Sequence, residues 1–197
     1  MLKILFAIGI FISCSFYQRN NEVLSFQFAA TIPNDSTEYI NQVIKFIKSV
    51  EQFDSRQSSF VLLDEPIKLD AHHCLDYANF KSGIYSKEDV QYIRNQVKKT
   101  LIKKWTKELA PGIKIISQSD IDKILYEKRS NGWPEFYQKI GGGFITLSAP
   151  IFFRNYTYCL FYSDDHCGIL CGGGSLKLYK KENNEWKAIK TYCDWIS

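Results

Sequence analysis

The residues best equipped for chemistry sit near the C-terminus. His166 and Cys167, with Cys171 four positions on and Cys193 further along, make a set of three sulfurs and one imidazole. Such a set suits tetrahedral zinc. Cys167 and Cys171 can instead close a disulfide, provided the chain between them turns back far enough to bring their Cα atoms within about 4.4–6.8 Å. Gly168 and the run Gly172-Gly173-Gly174 supply that freedom, because glycine accepts positive φ without penalty. A second local cluster is His72-His73-Cys74 with Asp76. The compartment chooses between these chemistries: thiols oxidise outside the cytosol, whereas spaced cysteines inside it read as metal sites. For an exported chain the expectation is a Cys167–Cys171 disulfide, no metal and no cofactor. Cys193 is the main competitor for Cys171, and Cys74 and Cys159 have no assigned partner.

Other chemistries find less support. The glycine runs 141–143 and 172–174 invite a phosphate-loop reading, but neither is followed by Lys-Ser/Thr opening a helix. Both lead into strands and read as turns or bulges. No GxSxG elbow is present, and nothing in the pattern brings a histidine to a nucleophilic cysteine or serine. A non-catalytic role is therefore expected. A net charge of +4 is too small to argue for nucleic acid.

The N-terminus supplies the compartment. Met1-Leu2-Lys3 is a short positive region, and Ile4 to Ile12 is an apolar run broken only by Gly9. About ten residues fall well short of the roughly 20 that span a bilayer, so this is the h-region of a secretory signal. Phe11-Ile12-Ser13-Cys14 resembles the lipobox of bacterial lipoproteins, with phenylalanine where leucine is commonest. The resemblance implies that Cys14 takes a thioether-linked diacylglycerol and becomes the mature N-terminus. The chain then divides into a signal peptide (1–14), a polar tether (15–34) and a single domain (35–197).

Within that domain the pattern is helical first and β afterwards. Asp35 and Glu38 look like a capping box, and Ile40, Val43, Ile44, Ile47 and Val50 fall at helical spacing, which predicts a helix over 36–52. Ser86 and Asp89 cap a second helix, whose stripe of Val90, Ile93, Val97, Leu101 and Trp105 runs toward Pro111. Lysines 98, 99, 103, 104 and 107 gather near its end and read as a solvated face that complements the helix dipole. Residues 60–63 and 112–117 look like short strands, 119–129 like a capped helix, and 133–140 is ambiguous.

From Gly141 two hairpins are expected. In the first, Phe153 faces Tyr156 across Arg154-Asn155, which gathers Ile145, Leu147, Ala149, Ile151 and Phe153 on one apolar face with Tyr156, Tyr158, Leu160 and Tyr162. In the second, Glu182 faces Glu185, so that Leu178 meets Ile189, Leu176 meets Thr191 and Cys193 meets Gly174. Pro150 implies an edge strand or a bulge. The expected fold is α+β, with N-terminal helices packed on one face of a C-terminal four-stranded antiparallel meander.

The series Cys167-Gly168-Ile169-Leu170-Cys171-Gly172-Gly173-Gly174, then Trp186, then Trp195-Ile196-Ser197, resembles small exported proteins of unknown function, many of them lipoproteins of the Bacteroidetes type. That resemblance implies a compartment and an architecture, and no catalytic residue. The expectation is a cell-envelope lipoprotein with a binding or structural role, facing the periplasm or the cell surface. Its partners would be the membrane, through Cys14, and an envelope protein. The alternative is a metal-dependent or thiol-based protein that uses the Cys167/Cys171 loop.

Overall fold

A computed structural model of the chain describes residues 36–51, 53, 59–69, 74–78, 80, 83–99 and 101–197. Cys14, His72, His73 and the expected cap Asp35 lie outside the described residues. In chain order the elements are α1 (Ser36–Val50), β1 (Phe60–Leu63), α2 (Cys74–Tyr77), α3 (Lys87–Val97), β2 (Lys114–Ile116), α4 (Gln118–Leu125), α5 (Trp133–Lys139), β3 (Gly143–Leu147), β4 (Ile151–Phe153), β5 (Tyr158–Gly168), β6 (Cys171–Glu182) and β7 (Glu185–Ile196).

The seven strands form one mixed sheet, ordered β2-β1-β3-β5-β6-β7, with β4 beside β5. This overturns the four-stranded meander. β1 runs parallel to both β2 and β3, so the two early strands extend the C-terminal sheet. The reason lies in β1 itself. Phe-Val-Leu-Leu has no alternation, as expected of a central strand covered on both faces, and Val61, Leu62 and Leu63 are all buried.

Helices on one face alone are overturned too. Neighbours along β5 alternate between faces. Cys159 and Phe161 pack with Val43, Phe46 and Ile47 of α1, while Leu160 and Tyr162 pack with Ile93 of α3. The second face continues through Val61, Leu63 and Phe144 to Ile121 of α4 and Phe136 of α5.

The first hairpin departs from the expected register. Phe153 pairs with Tyr158, and Arg154, Asn155 and Tyr156 all take positive φ in a longer turn. Between Leu147↔Ser163 and Ile151↔Leu160, three residues of one strand oppose two of the other. That extra residue is a bulge, and it sends Leu147 and Ile151 to opposite faces. The expected common face is therefore split.

In the second hairpin Glu182 does pair with Glu185, but irregularities at Leu178/Tyr179 and Gly174/Leu176 displace the pairing farther from the turn. Leu178 meets Lys190, Leu176 meets Tyr192 and Gly174 meets Trp195. Cys193, at φ 51°, sits within the second of these irregularities.

α3 carries the expected capping box: Ser86 Oγ accepts from Asp89 N, and Asp89 Oδ2 accepts from Ser86 N at 2.8 Å. It ends at Val97, short of the apolar stripe. Beyond it, tertiary hydrogen bonds capture Trp105 instead: its N donates to Asp64 O at 2.7 Å and its Nε1 to Leu147 O at 3.2 Å.

Arg154 ties the first hairpin to this helix. Its Nη2 donates to Asp89 Oδ2 at 2.5 Å and to Ile84 O at 2.9 Å, and its guanidinium lies 4.6 Å from the Tyr158 ring centre. The Asp89 side chain is only 3% exposed. Losing one member of such a buried pair costs about 3–5 kcal/mol. Arg154→Ala is thus expected to lower the melting temperature by about 10 °C. Lys180→Ala, at the exposed pair with Glu182, should shift it by under about 3 °C. Thermal denaturation followed by circular dichroism checks both.

Candidate binding groove

At the bulge the sheet opens into a groove of about 210 Å³. Its floor is Ile67 and Leu69 from the segment after β1, Val97, Leu101 and Ile102 from the end of α3 onward, and Ala149 and Ile151 from either side of Pro150. Its rim carries Lys68, Lys98, Lys99 and Lys103, with Glu65 the one carboxylate among the described residues of the lining. All four lysines are exposed. The neighbouring Lys104 differs, since its Nζ lies 2.6 Å from Asp64 Oδ2. The sequence pattern places Lys98, Lys99 and Lys103 on a solvated face. Their convergence with Lys68 escapes it, because Lys68 arrives from a different strand end.

The cysteines resolve into two bonded pairs. Cys167 is joined to Cys171 at a Cα separation of 5.0 Å, and Cys74 to Cys193 at 5.1 Å, across 119 residues of sequence. Such bonds fit an oxidising compartment. Cys193 therefore faces Cys74, not Cys171, because the register shift carries it away from Gly174. His166, Cys167, Cys171 and Cys193 do not converge, and among the described residues no three His, Cys, Asp or Glu side chains form a metal-holding group. Cys159 is the free cysteine among the described residues; it is buried, which drives its thiol pKa well above the ordinary value.

His166 belongs to a different cluster. It stacks on Phe144, ring centres 4.8 Å apart, with its Nε2 3.5 Å from Asp164 Oδ1. The buried Asp164 carboxylate accepts from Thr146 Oγ1 and, at 3.0 Å, from Tyr162 Oη. Tyr162 Oη accepts in turn from Trp195 Nε1 at 2.9 Å. Gly174 makes this close approach feasible, since a Cβ there would meet Asp164 Cβ at 2.5 Å and Trp195 Nε1 at 2.8 Å. These contacts run from member to member across β3, β5, β6 and β7, so the cluster serves to lock the sheet. Its sequence signal is Asp164-Asp165-His166 lying opposite a glycine run, legible only once the register is known.

On the opposite face, burial pushes the Glu51 carboxyl up to about 7, against the opposing pull of a Ser163 hydrogen bond and Lys177; Asp165 adds to the rise. Asp165 is itself raised by burial, with His166 opposing.

A carboxyl whose pKa is higher folded than unfolded binds more protons in the native state between the two values, so stability falls as pH rises through that interval. For Glu51 the interval runs from 4.5 to about 7. Glu51→Gln should flatten that decline and leave the protein more stable than wild type at pH 8, by on the order of 3 kcal/mol; urea denaturation at pH 5 and pH 8 measures it. For the disulfides, chain entropy assigns about 5 kcal/mol to a loop of the Cys74–Cys193 length and about 2 kcal/mol to the small Cys167–Cys171 loop. Cys74→Ser/Cys193→Ser should therefore destabilise far more than Cys167→Ser/Cys171→Ser, as read from denaturant midpoints under oxidising conditions. No protein-family model, curated protein or solved structure matches this chain, so groove, cluster and disulfides are interpreted from their own chemistry.

Proposed function

We propose that this is an exported, non-catalytic binding protein of the bacterial cell envelope, held to the membrane by lipid on Cys14. The observation that carries the compartment is the pair of disulfides within one domain, since such bonds persist outside the reducing cytosol. Among the described residues no helix is long and apolar enough to cross a membrane; the proposed attachment rests on the lipobox-like Phe11-Ile12-Ser13-Cys14. Three acyl chains hold firmly where a single one is marginal. The binding role is supported by the groove, whose described lining combines four lysines with an apolar floor. The resemblance of the C-terminal cysteine-glycine segment to exported lipoprotein-like proteins points the same way.

Expressed from its own start codon in a bacterial host, the wild type should partition into the detergent phase and carry the added mass of the lipid. Cys14→Ala should do neither. Equal partitioning of both proteins into the aqueous phase would overturn the anchor.

A further inference from the structure

We propose that the groove seats a single-chain lipid with one anionic head, of the fatty-acid kind, its chain on the apolar floor and its head among the lysines. The inference rests on the reading of this domain as a binding protein and names the ligand class for its groove.

Charge around the groove is one-sided. Among the described residues of the lining four lysines stand against one carboxylate, and none of the four pairs with a described carboxylate. Complementing the α3 dipole accounts for Lys98 and Lys99, which adjoin the helix end, because that effect fades beyond the last turn. It does not account for Lys68 or Lys103, which come from other segments. Ammonium groups on long stems keep their heads in water while the stems cover apolar surface, which makes a rim that is charged above and greasy below.

The floor then narrows the class. A bare inorganic anion has no use for Leu69, Leu101, Ile102 and Ile151 beneath it. Nucleobases are held by stacking on aromatic faces, and among the described residues no aromatic side chain lines this groove, although aromatics make up 15% of the chain. The volume fits as well: an apolar cavity of about 150 Å³ is enough for benzene, so about 210 Å³ accepts a stretch of acyl chain and excludes a bulky ring system.

The groove also lies close to the anchored end of the chain. The described domain begins at Ser36, one helical turn before Tyr39, whose Oη donates to Pro150 O at 3.1 Å. Ala149 and Ile151, either side of that proline, line the groove. Residues 15–35 separate Cys14 from Ser36, a reach of at most about 75 Å. The groove thus sits at the end of the domain where the chain from the anchor enters, within reach of the bilayer from which such a lipid would come.

The test uses the full chain in nanodiscs of zwitterionic lipid, with acetylation of each lysine followed by mass spectrometry. Decanoate should slow modification of Lys68, Lys98, Lys99 and Lys103 and leave Lys187 and Lys190 on β7 unchanged. Butyrate, an anion without the chain, and decanol, a chain without the charge, should protect none of them. Lys98→Glu/Lys103→Glu, a surface change that spares the core, should raise the decanoate concentration needed to protect Lys68 and Lys99 by at least about tenfold. Butyrate as effective as decanoate would reduce the site to an anion patch, and decanol as effective would reduce it to an apolar slot; either overturns the proposal. Protection by nanodiscs of anionic lipid without decanoate would identify a membrane-facing surface instead, and no protection at all would also overturn it. Cys14→Ala should keep the decanoate footprint, so failure of the anchor and failure of the ligand are told apart.

Discussion

Ser148, Ala149 and Pro150 interrupt the ladder between β3 and β5, and much of the fold is arranged around that interruption. Proline brings no N–H to the sheet and cannot sit in a regular central strand. An unmade bond to a buried backbone group costs about 1–3 kcal/mol. Ser148 avoids that loss: its N donates to Tyr162 O and its Oγ accepts from Tyr162 N, both at 2.9 Å. A hydroxyl thus replaces the carbonyl that a regular strand would have offered. Around it the freed groups recruit other elements. Leu147 O accepts from Ile67 N and Trp105 Nε1, and Pro150 O from Tyr39 Oη. Three distant segments of the chain are thereby pinned to one break.

The same break decides which residues meet. A strand alternates faces with a period of two, so one extra residue reverses the allocation of everything beyond it. Leu147 lies in the cluster of α1, and Ile151, after the bulge, in the cluster of α3. Both faces of the sheet are covered, one by α1 and the other by α3, α4 and α5. Ala149 and Ile151, on either side of Pro150, contribute to the lining of the groove. Its charge comes from Lys68 after β1 and Lys98, Lys99 and Lys103 beyond the end of α3.

How much of this is legible in the sequence depends on the range of each interaction. Local rules read well. The Ser86/Asp89 box and the Glu182–Glu185 pairing across Asn183-Asn184 depend on residues a few positions apart, and α1 is set by a clean 3.6-residue stripe. Interactions across the sheet do not read. Phe-Val-Leu-Leu announces a buried strand, yet nothing in four residues names β2 and β3 as its neighbours. Register fails wherever a bulge intervenes: Pro150 signals an edge or a bulge without saying how many residues it adds, and the irregularities near Gly174 and Leu178 carry no such mark. That failure hides the Cys74–Cys193 bond, since an unbroken register counts Cys193 opposite Gly174. The apolar spacing of Leu101 and Trp105 is real, but tertiary hydrogen bonds use it outside a helix. The groove is half visible: its lysines are plain in the sequence, and their convergence with Lys68 requires the fold.

The β5–β6 turn shows how a covalent bond can overrule local preference. At the β6–β7 turn the chain places Asn183 and Asn184 at φ 52° and 64°, the residue type that tolerates that conformation best. At the β5–β6 turn it places Ile169 and Leu170, each 85% exposed. Branched aliphatic residues favour neither the turn geometry nor the water around it, so the local sequence does little to hold this tip closed. The Cys167–Cys171 bond supplies the closure instead, and Tyr137 Oη reinforces it from α5 by donating to Cys167 O at 2.6 Å. Gly168 lies under that hydroxyl, where a Cβ would come within 3.1 Å of it. The glycines around the two cysteines thus let backbone and phenol approach closely, and the disulfide fixes a turn that its own residues would leave open.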